Sequence, residues 1–429
     1  MRSRTAPTSS FNVGRLVVWS LFALVLLTVP WVFTGSLGRT ILTQMGIAII
    51  VCLSYNMLLG QGGMLSFGHA VYSGMGSFLA IHTLNEVSGG LPLPVSLIPI
   101  VGGLASMALA VLLGWVTTKK AAMPFAMITL GIGELVWALS LMFPGFFGGE
   151  GGVSGNRVAG ARTLGITYGP QIELYYLIAL YTFVCTAVMF AFTGTPLGRM
   201  LNAVGDNPER VEFIGYDPQK VRYIAFVVAA FFAGISGGLA ALNFEIVTSE
   251  VFSGHRSGAY LLFTFLGGAS YFFGPILGAI LMVLAFVLLS EFTQAWLLYL
   301  GLVFVFMVLY APGGMASLIM MNLRVATFGH LKKLAASYVA LALTALMMMM
   351  GAALMIEMTY QLQLNAAVGP KLQFMGATLN ATSPHSWWGS GIVMLTGLGL
   401  FEICCRQFAR KWALIQESIE TEIKRRESL

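Results

Sequence analysis

Apolar runs of about twenty residues follow one another along almost the whole chain, and this repetition limits the fold more than any motif does. A helix of about 20 apolar residues crosses a hydrocarbon core roughly 30 Å thick. By that measure spans are expected near residues 16–34, 39–60, 64–84, 95–117, 121–143, 172–193, 221–243, 258–273, 274–290, 296–311, 335–356 and 388–404, with the third and eighth Gly-rich enough to be broken or re-entrant. Within a bilayer the backbone must satisfy its own hydrogen bonds, which leaves helices or a closed barrel. The runs are continuous and lack the ten-residue alternation of a barrel. At 57% hydrophobic residues and a mean hydropathy of +0.83, the chain carries more apolar surface than a soluble fold of 429 residues can bury. The expected class is an all-α polytopic membrane protein of about 10–12 transmembrane helices. Leu16 to Thr34 lies behind Arg2, Arg4 and Arg15 and is followed by no small-residue cleavage site, so it reads as a first span and not as a removable leader.

The charges orient this layout. Eighteen of the 23 Lys and Arg residues fall on one side, with Arg39, Arg157, Arg162, Arg256 and Lys371 on the other. The positive-inside rule makes the rich side cytoplasmic and places both termini there. The net charge of +6 then reports this excess and not a nucleic-acid partner. Cys52, Cys185, Cys404 and Cys405 form no C-x-x-C, and five scattered histidines make no metal site.

One stretch is too polar for its surroundings. Residues 194–222 hold eight charged side chains summing to zero, in a chain that is only 9% charged. Leu197, Met200, Leu201 and Val204 share one helical face, and Gly205 ends that helix. Asp206-Asn207-Pro208-Glu209 starts another: Asn207 can cap, Pro208 suits the first helical position, and Glu209 meets the positive helix end. Gly215 stops it, and Asp217-Pro218 repeats the start signal before the next span. Two short helices on a membrane surface would offer Val211, Phe213 and Ile214 as apolar knobs in a charged rim that includes Arg199 and Arg210. Either this is a docking surface or it is an ordinary connecting loop.

Gly60 to Gly76 is the second unusual stretch, with glycines at 60, 62, 63, 68, 74 and 76. Each glycine costs a lone helix roughly 1 kcal/mol against alanine. In a bilayer such a segment is tolerated against protein or along a water-lined cavity. Ser66 and His69 lie three residues apart, so the segment reads either as the wall of a substrate path or as close helix packing with His69 bonded to a neighbour. Leu266 to Gly278 is a second Gly-rich break, and its Phe273-Gly274 step matches Phe67-Gly68, a pattern compatible with an inverted repeat. Glu134 stands mid-span, where an ionised carboxylate costs about 2.5–3.5 kcal/mol on insertion scales; it is expected to face the bundle interior, as a structural carboxylate or a proton relay. With His69 it is the basis of the alternative reading, a proton-coupled secondary transporter. There is no G-x-x-x-x-G-K-[ST], H-E-x-x-H or G-x-S-x-G, so neither nucleotide binding nor hydrolytic chemistry is expected of the chain itself. In the tail, Trp412, Ile415, Ile419 and Ile423 form an apolar stripe expected to lie on the membrane or on a cytoplasmic neighbour.

Six stretches in order, NMLLGQGGMLSFGHAVYSGMGSFLA, ITLGIGELV, GGEGGVSGNR, the PLGRMLNAVGDNPERVEFIGYDPQKVRYIAF run with its continuation, FLGGASYFFGPILGA and VLYAPGGM, resemble the LivM-type membrane subunit of branched-chain amino-acid ABC importers over roughly residues 40–316. The resemblance implies a permease without catalytic residues or a cofactor of its own, because ATP is used by two separate cytoplasmic ATPase subunits. It further implies a second, LivH-type permease, a periplasmic binding protein and an inner-membrane location. It makes 194–222 the ATPase-coupling loop, with Gly198, Arg199, Asp206, Asn207, Glu209 and Gly215 fitting the family pattern. Gly62, Gly63, Ser66, Gly68, His69 and Ala70 fit its Gly-rich span and, with Glu134, are the expected translocation path. The organisation expected is a first span within 1–38, a permease core over 39–320, extra spans over 321–405 with a far-side loop at 357–387, and a cytoplasmic tail from 406 to 429. The extra spans are a departure from the family pattern.

Overall fold

The computed structural model describes residues 13–158, 167–329, 331–363, 371–374 and 377–427. It is helical almost throughout. Nine described helices are long and apolar enough to cross a membrane, or ten if the broken pair Trp296–Tyr310 and Gly314–Thr327 counts as one span. Two compact units emerge: residues 1–289 with 304–316, and residues 290–303 with 317–429.

In the first unit, α1 (Val13–Val32), α2 (Ser36–Gly62), α3 (His69–Ser88), α4 (Ile98–Thr117) and α5 (Ala122–Met142) are followed by the single turn α6 (Pro144–Phe147). Then come α7 (Gln171–Gly194), the short α8 (Pro196–Asp206) and α9 (Pro208–Phe213), and α10 (Pro218–Phe244). α11 (Gly254–Gly267) and α12 (Gly274–Leu284) complete its main helices. α2 and α10 form the centre: most of each is buried, whereas α1 lies almost wholly on the surface. α10 packs on α2, α3 and α4, and small residues set the spacing. A Cβ added at Gly237 would stand 1.8 Å from the Ser73 carbonyl oxygen, and one at Gly234 would stand 2.6 Å from that of Gly102. Helices gain no hydrophobic drive against each other in lipid, so such backbone approach and interhelical hydrogen bonds take its place. Ser106 Oγ donates to the Tyr72 carbonyl at 2.6 Å, Ser77 Oγ to that of Gly237 at 2.9 Å, and Ser236 Oγ to that of Ile47 at 2.9 Å.

Two of the twelve expected spans take another form. The third does not begin at 64: residues 63–68 are not helical, and α3 starts at His69. The eighth, expected over 258–273, is the 14-residue α11, which ends at Gly267 where Gly268 turns to φ 112°. The two Gly-rich breaks lie against one another, since a Cβ at Gly60 would meet the Ala269 carbonyl oxygen at 2.2 Å. They therefore occupy one end of the bundle, and their local match does not by itself make an inverted repeat. At the opposite ends of α5 and α10, the two-residue strands β1 (Val153–Ser154) and β2 (Ile246–Val247) pair antiparallel.

The second unit contains α13 (Ser290–Phe292), part of α14 (Trp296–Tyr310), most of α15 (Gly314–Thr327), α16 (Leu331–Gln363) and α17 (Pro384–Glu427). α16 and α17 form a hairpin with glycine contacts: a Cβ at Gly351 would meet the Met394 backbone at 2.5 Å, and one at Gly397 that of Met348 at the same distance. β3 (Lys371–Phe374) and β4 (Ala377–Asn380) pair antiparallel between the two helices. The tail is not a separate surface helix. α17 runs unbroken for 44 residues, and the described part of the stripe expected to seek a membrane is internal: Ile415 and Ile419 are buried with Val325 and Leu334, flanked by Tyr338, Phe408 and Trp412, while the side chain of Ile423 lies outside the described residues. An apolar stripe needs only some apolar partner, and here the chain supplies its own.

Candidate functional site

The loop between α7 and α10 is built from one device used three times. Thr195, Asn207 and Asp217 each cap a helix whose first residue is proline (Pro196, Pro208, Pro218). Thr195 Oγ1 accepts from Gly198 N at 3.2 Å, Asn207 Oδ1 from Arg210 N at 3.1 Å, and Asp217 Oδ1 from Gln219 N at 2.9 Å. Each cap satisfies an orphan N–H, and the proline has none to lose. Gly215, at φ 89°, ends the second helix in a conformation that a side chain disfavours. Asp206, Glu209, Arg210 and Arg199 point to solvent around this frame.

The apolar residues divide. Gly198, Leu201 and Val204 are buried beneath α8. On α9, Val211 was expected as an exposed knob, but it is only 2% exposed. A six-residue helix has one inward face, and Val211 is its anchor there. Phe213 and Ile214 point outward, at 89% and 64% exposure. The outward apolar pair inside the charged rim is therefore Phe213 and Ile214, without Val211.

α8 rests directly on the C-terminus of α2. A Cβ at Gly205 would lie 3.0 Å from the Gln61 carbonyl oxygen, and one at Gly62 would lie 3.0 Å from Leu201 Cδ1. Gly63 ends α2 in the left-handed region at φ 61°, and Gly63 N and Met64 N bond back to the carbonyls of Leu59 and Leu58. Residues 64–68 then form a strap held by side chains. Tyr55 Oη donates to the Ser66 carbonyl at 2.8 Å and accepts from its N–H at 3.2 Å. Phe67 N donates to Thr129 Oγ1, and Ala70 N to Ser257 Oγ. His69 Nε2 lies 2.8 Å from Ser54 Oγ, with its ring edge-on to Tyr55. Ser66, Gly68, His69 and Ala70 are all buried, as is Gly62; Gly63 is exposed. In this conformation these residues form a packed joint inside the chain, because each is closed in by α2, α5 or α11.

Glu134 stands apart from that joint. It is exposed on α5 and does not face the chain's own interior as expected. Its Oε1 would lie 3.1 Å from a Cβ placed on Gly254, so the carboxylate sits over the first turn of α11.

A clasp at the other end of the bundle has no motif to announce it. Arg157 Nε donates to the Tyr168 carbonyl at 2.8 Å, its Nη1 to those of Leu242 and Asn243, and its Nη2 to that of Gly169. Glu245, which ends α10 with φ 56°, accepts from Arg157 N at 2.9 Å and pairs with its guanidinium at 3.7 Å. One side chain thus ties the Gly-rich loop to the ends of α7 and α10.

A family model described as the branched-chain amino acid transport system permease component matches residues 38–312. The chain belongs to that family. It is also 30% identical over 322 residues to the high-affinity branched-chain amino acid transport system permease protein LivM of Salmonella typhimurium LT2, covering 69% of this chain and 74% of the relative. The protein of the same name from Escherichia coli K12 is 30% identical over 320 residues with the same coverage. No solved structure matches. The capped loop, the joint at 54–70, Glu134 and the Arg157 clasp all lie within the family region, whereas α15, α16 and α17 lie wholly beyond it. This permease is thus a multi-pass membrane protein of the LivM type.

Proposed function

We propose that the chain is the LivM-type half of an ATP-driven importer in the bacterial inner membrane, carrying branched-chain amino acids or a related small polar solute handed over by a periplasmic binding protein. A LivH-type permease is its membrane partner, two cytoplasmic ATPase subunits supply the energy, and both termini are cytoplasmic. The observation that carries this reading is the outward pair Phe213 and Ile214 on a rigidly capped loop. An exposed aromatic and a β-branched residue inside a charged rim suit a groove on a soluble partner.

The mechanism follows from the seating of α8. When the ATPase subunits close on nucleotide, they displace α9 and α8 together. Because α8 rests on Gln61–Gly63 through glycine contacts, that displacement reaches the end of α2 and the strap carrying Ser66, Gly68, His69 and Ala70. The strap is a joint between α2 and α3, and its movement opens or closes a path on whose wall Glu134 stands. Chains of packed groups with two arrangements transmit such changes over tens of ångströms.

The test is reconstitution in proteoliposomes. Import should require all the subunits and ATP, and Glu209→Arg, which reverses a charge at the exposed start of α9, should lower import and uncouple ATP hydrolysis from the binding protein. Accumulation of solute by this chain alone on a pH gradient would refute the reading.

A further inference from the structure

A recess of about 350 Å³ lies where the start of α1 meets the end of α7, lined by Arg15, Phe190, Ala191, Thr193, Gly194 and Thr195. Arg15 stands roughly 3 Å inside α1, and the 20 residues of that helix rise about 30 Å, the thickness of a hydrocarbon core. The recess is therefore level with the lipid headgroups of one membrane surface. It has an aromatic floor. Trp19 meets the Phe190 ring edge-on at 5.5 Å and that of Phe183 at 5.8 Å, and the Arg15 guanidinium lies 5.9 Å from the centre of the Phe190 ring. Resting on a ring uses the face of a guanidinium and leaves its N–H edge free.

That edge lacks an acceptor. Among the described residues Arg15 makes no hydrogen bond or ion pair. No Asp or Glu precedes Glu86 in the sequence, and none lies between Glu173 and Asp206, so neither helix brings a carboxylate to the recess. The Thr193 and Thr195 hydroxyls are engaged with α7 itself, donating to the carbonyls of Phe190 and Phe192.

These features choose the occupant. An apolar helix of a neighbouring subunit would strip water from the guanidinium without pairing it. A headgroup phosphate brings two oxygens in the geometry that the guanidinium fork matches. α1 lies almost wholly on the surface, and exposed Leu21 and Leu24 on α1, with Val184 and Val188 on α7, give acyl chains an apolar course along the two helices.

We propose that this recess binds the phosphodiester of an anionic phospholipid with a glycerol headgroup. One guanidinium pairs one negative charge, and without a carboxylate the recess has nothing for the ammonium of an ethanolamine headgroup. Thr195, in the wall of the recess, also caps α8, so the bound lipid ties α1 to the root of the capped loop. The site goes beyond the importer reading and requires only that α1 begin at a membrane surface.

The test places the full-length chain, with its co-purifying subunits, in nanodiscs of phosphatidylcholine containing photoreactive phosphatidylglycerol or, separately, photoreactive phosphatidylethanolamine. Label from the glycerol lipid should map to peptides from the start of α1 and the end of α7. Arg15→Gln should lower that label about fivefold, the weight of one basic side chain at an anionic membrane surface, and Arg15→Lys should keep part of it. The ethanolamine lipid should label the wild type no better than the glycerol lipid labels Arg15→Gln. Equal labelling of wild type and Arg15→Gln would overturn the proposal, as would equal labelling of the wild type by the two lipids, a comparison that needs no variant. Displacement of the label by inorganic phosphate would also overturn it, making the recess a site for a free anion. So would loss of a membrane subunit from the purified Arg15→Gln complex, which would make Arg15 a subunit contact.

Discussion

Val211 and Phe213 lie two residues apart on one short helix, and they face opposite ways, Val211 inward and Phe213 outward. Val211→Ala removes two buried carbons. At about 0.8 kcal/mol for each, plus a cavity contribution, the loop should lose about 2 kcal/mol of stability. Phe213 is 89% exposed, so Phe213→Ala should change the stability of the permease by no more than about 0.5 kcal/mol. If its ring is buried by an ATPase subunit, its loss should cost about 1.5–3 kcal/mol of association, a weakening of roughly 10- to 150-fold. The assay is thermal unfolding of the assembled permease pair together with titration of the ATPase subunits onto it. The reasoning predicts a lower Tm with near-normal docking for Val211→Ala and an unchanged Tm with weak docking for Phe213→Ala. The reverse pattern would refute it.

Other outcomes follow from the same packing. Gly60→Ala places a Cβ 2.2 Å from the Ala269 carbonyl oxygen, so the two Gly-rich breaks must part by about 1 Å, at a cost of about 1–3 kcal/mol; melting of the purified complex should shift down, and an unchanged melting point would show that the breaks do not touch. Arg157→Gln removes the cation that five groups share, so the segment at 153–158 should become a preferred cleavage site in limited proteolysis, with a local loss of about 3 kcal/mol. Gly397→Leu should separate α16 from α17, because the Met348 backbone lies 2.5 Å from the new Cβ, and a helix-pair cross-link between 351 and 394 should then fall in yield.

The parts legible in sequence were those governed by local rules. Apolar runs announced spans, and Asn207-Pro208 and Asp217-Pro218 announced helix starts, because caps and prolines act within a few residues. The orientation of Val211 was not legible, since a six-residue helix has too few positions to display a face. Nor was the joint at 64–69: Ser66 and His69 were visible, but Tyr55, Ser54, Thr129 and Ser257, which hold the strap, are ordinary residues until the fold brings them to it. Glu134 was conspicuous as a charge in an apolar run, but its side of the helix depends on which neighbours α5 lacks. The spacing of Trp412, Ile415, Ile419 and Ile423 marks an amphipathic helix but not its partner, and Ile415 and Ile419 pack within the same chain instead of on a membrane or a neighbour.

The central claim is that Phe213 and Ile214 are gripped by an ATP-hydrolysing subunit. Site-specific cross-linking tests it most directly: Phe213→Cys and Ile214→Cys are each placed in a complex whose permease retains no other accessible cysteine, Cys404 and Cys405 being replaced by serine, and reacted with a short bifunctional reagent. The account predicts a cross-link from both positions to the ATPase subunit, with a yield that changes when nucleotide binds. A complex that imports solute at full rate while neither position reaches that subunit would contradict it.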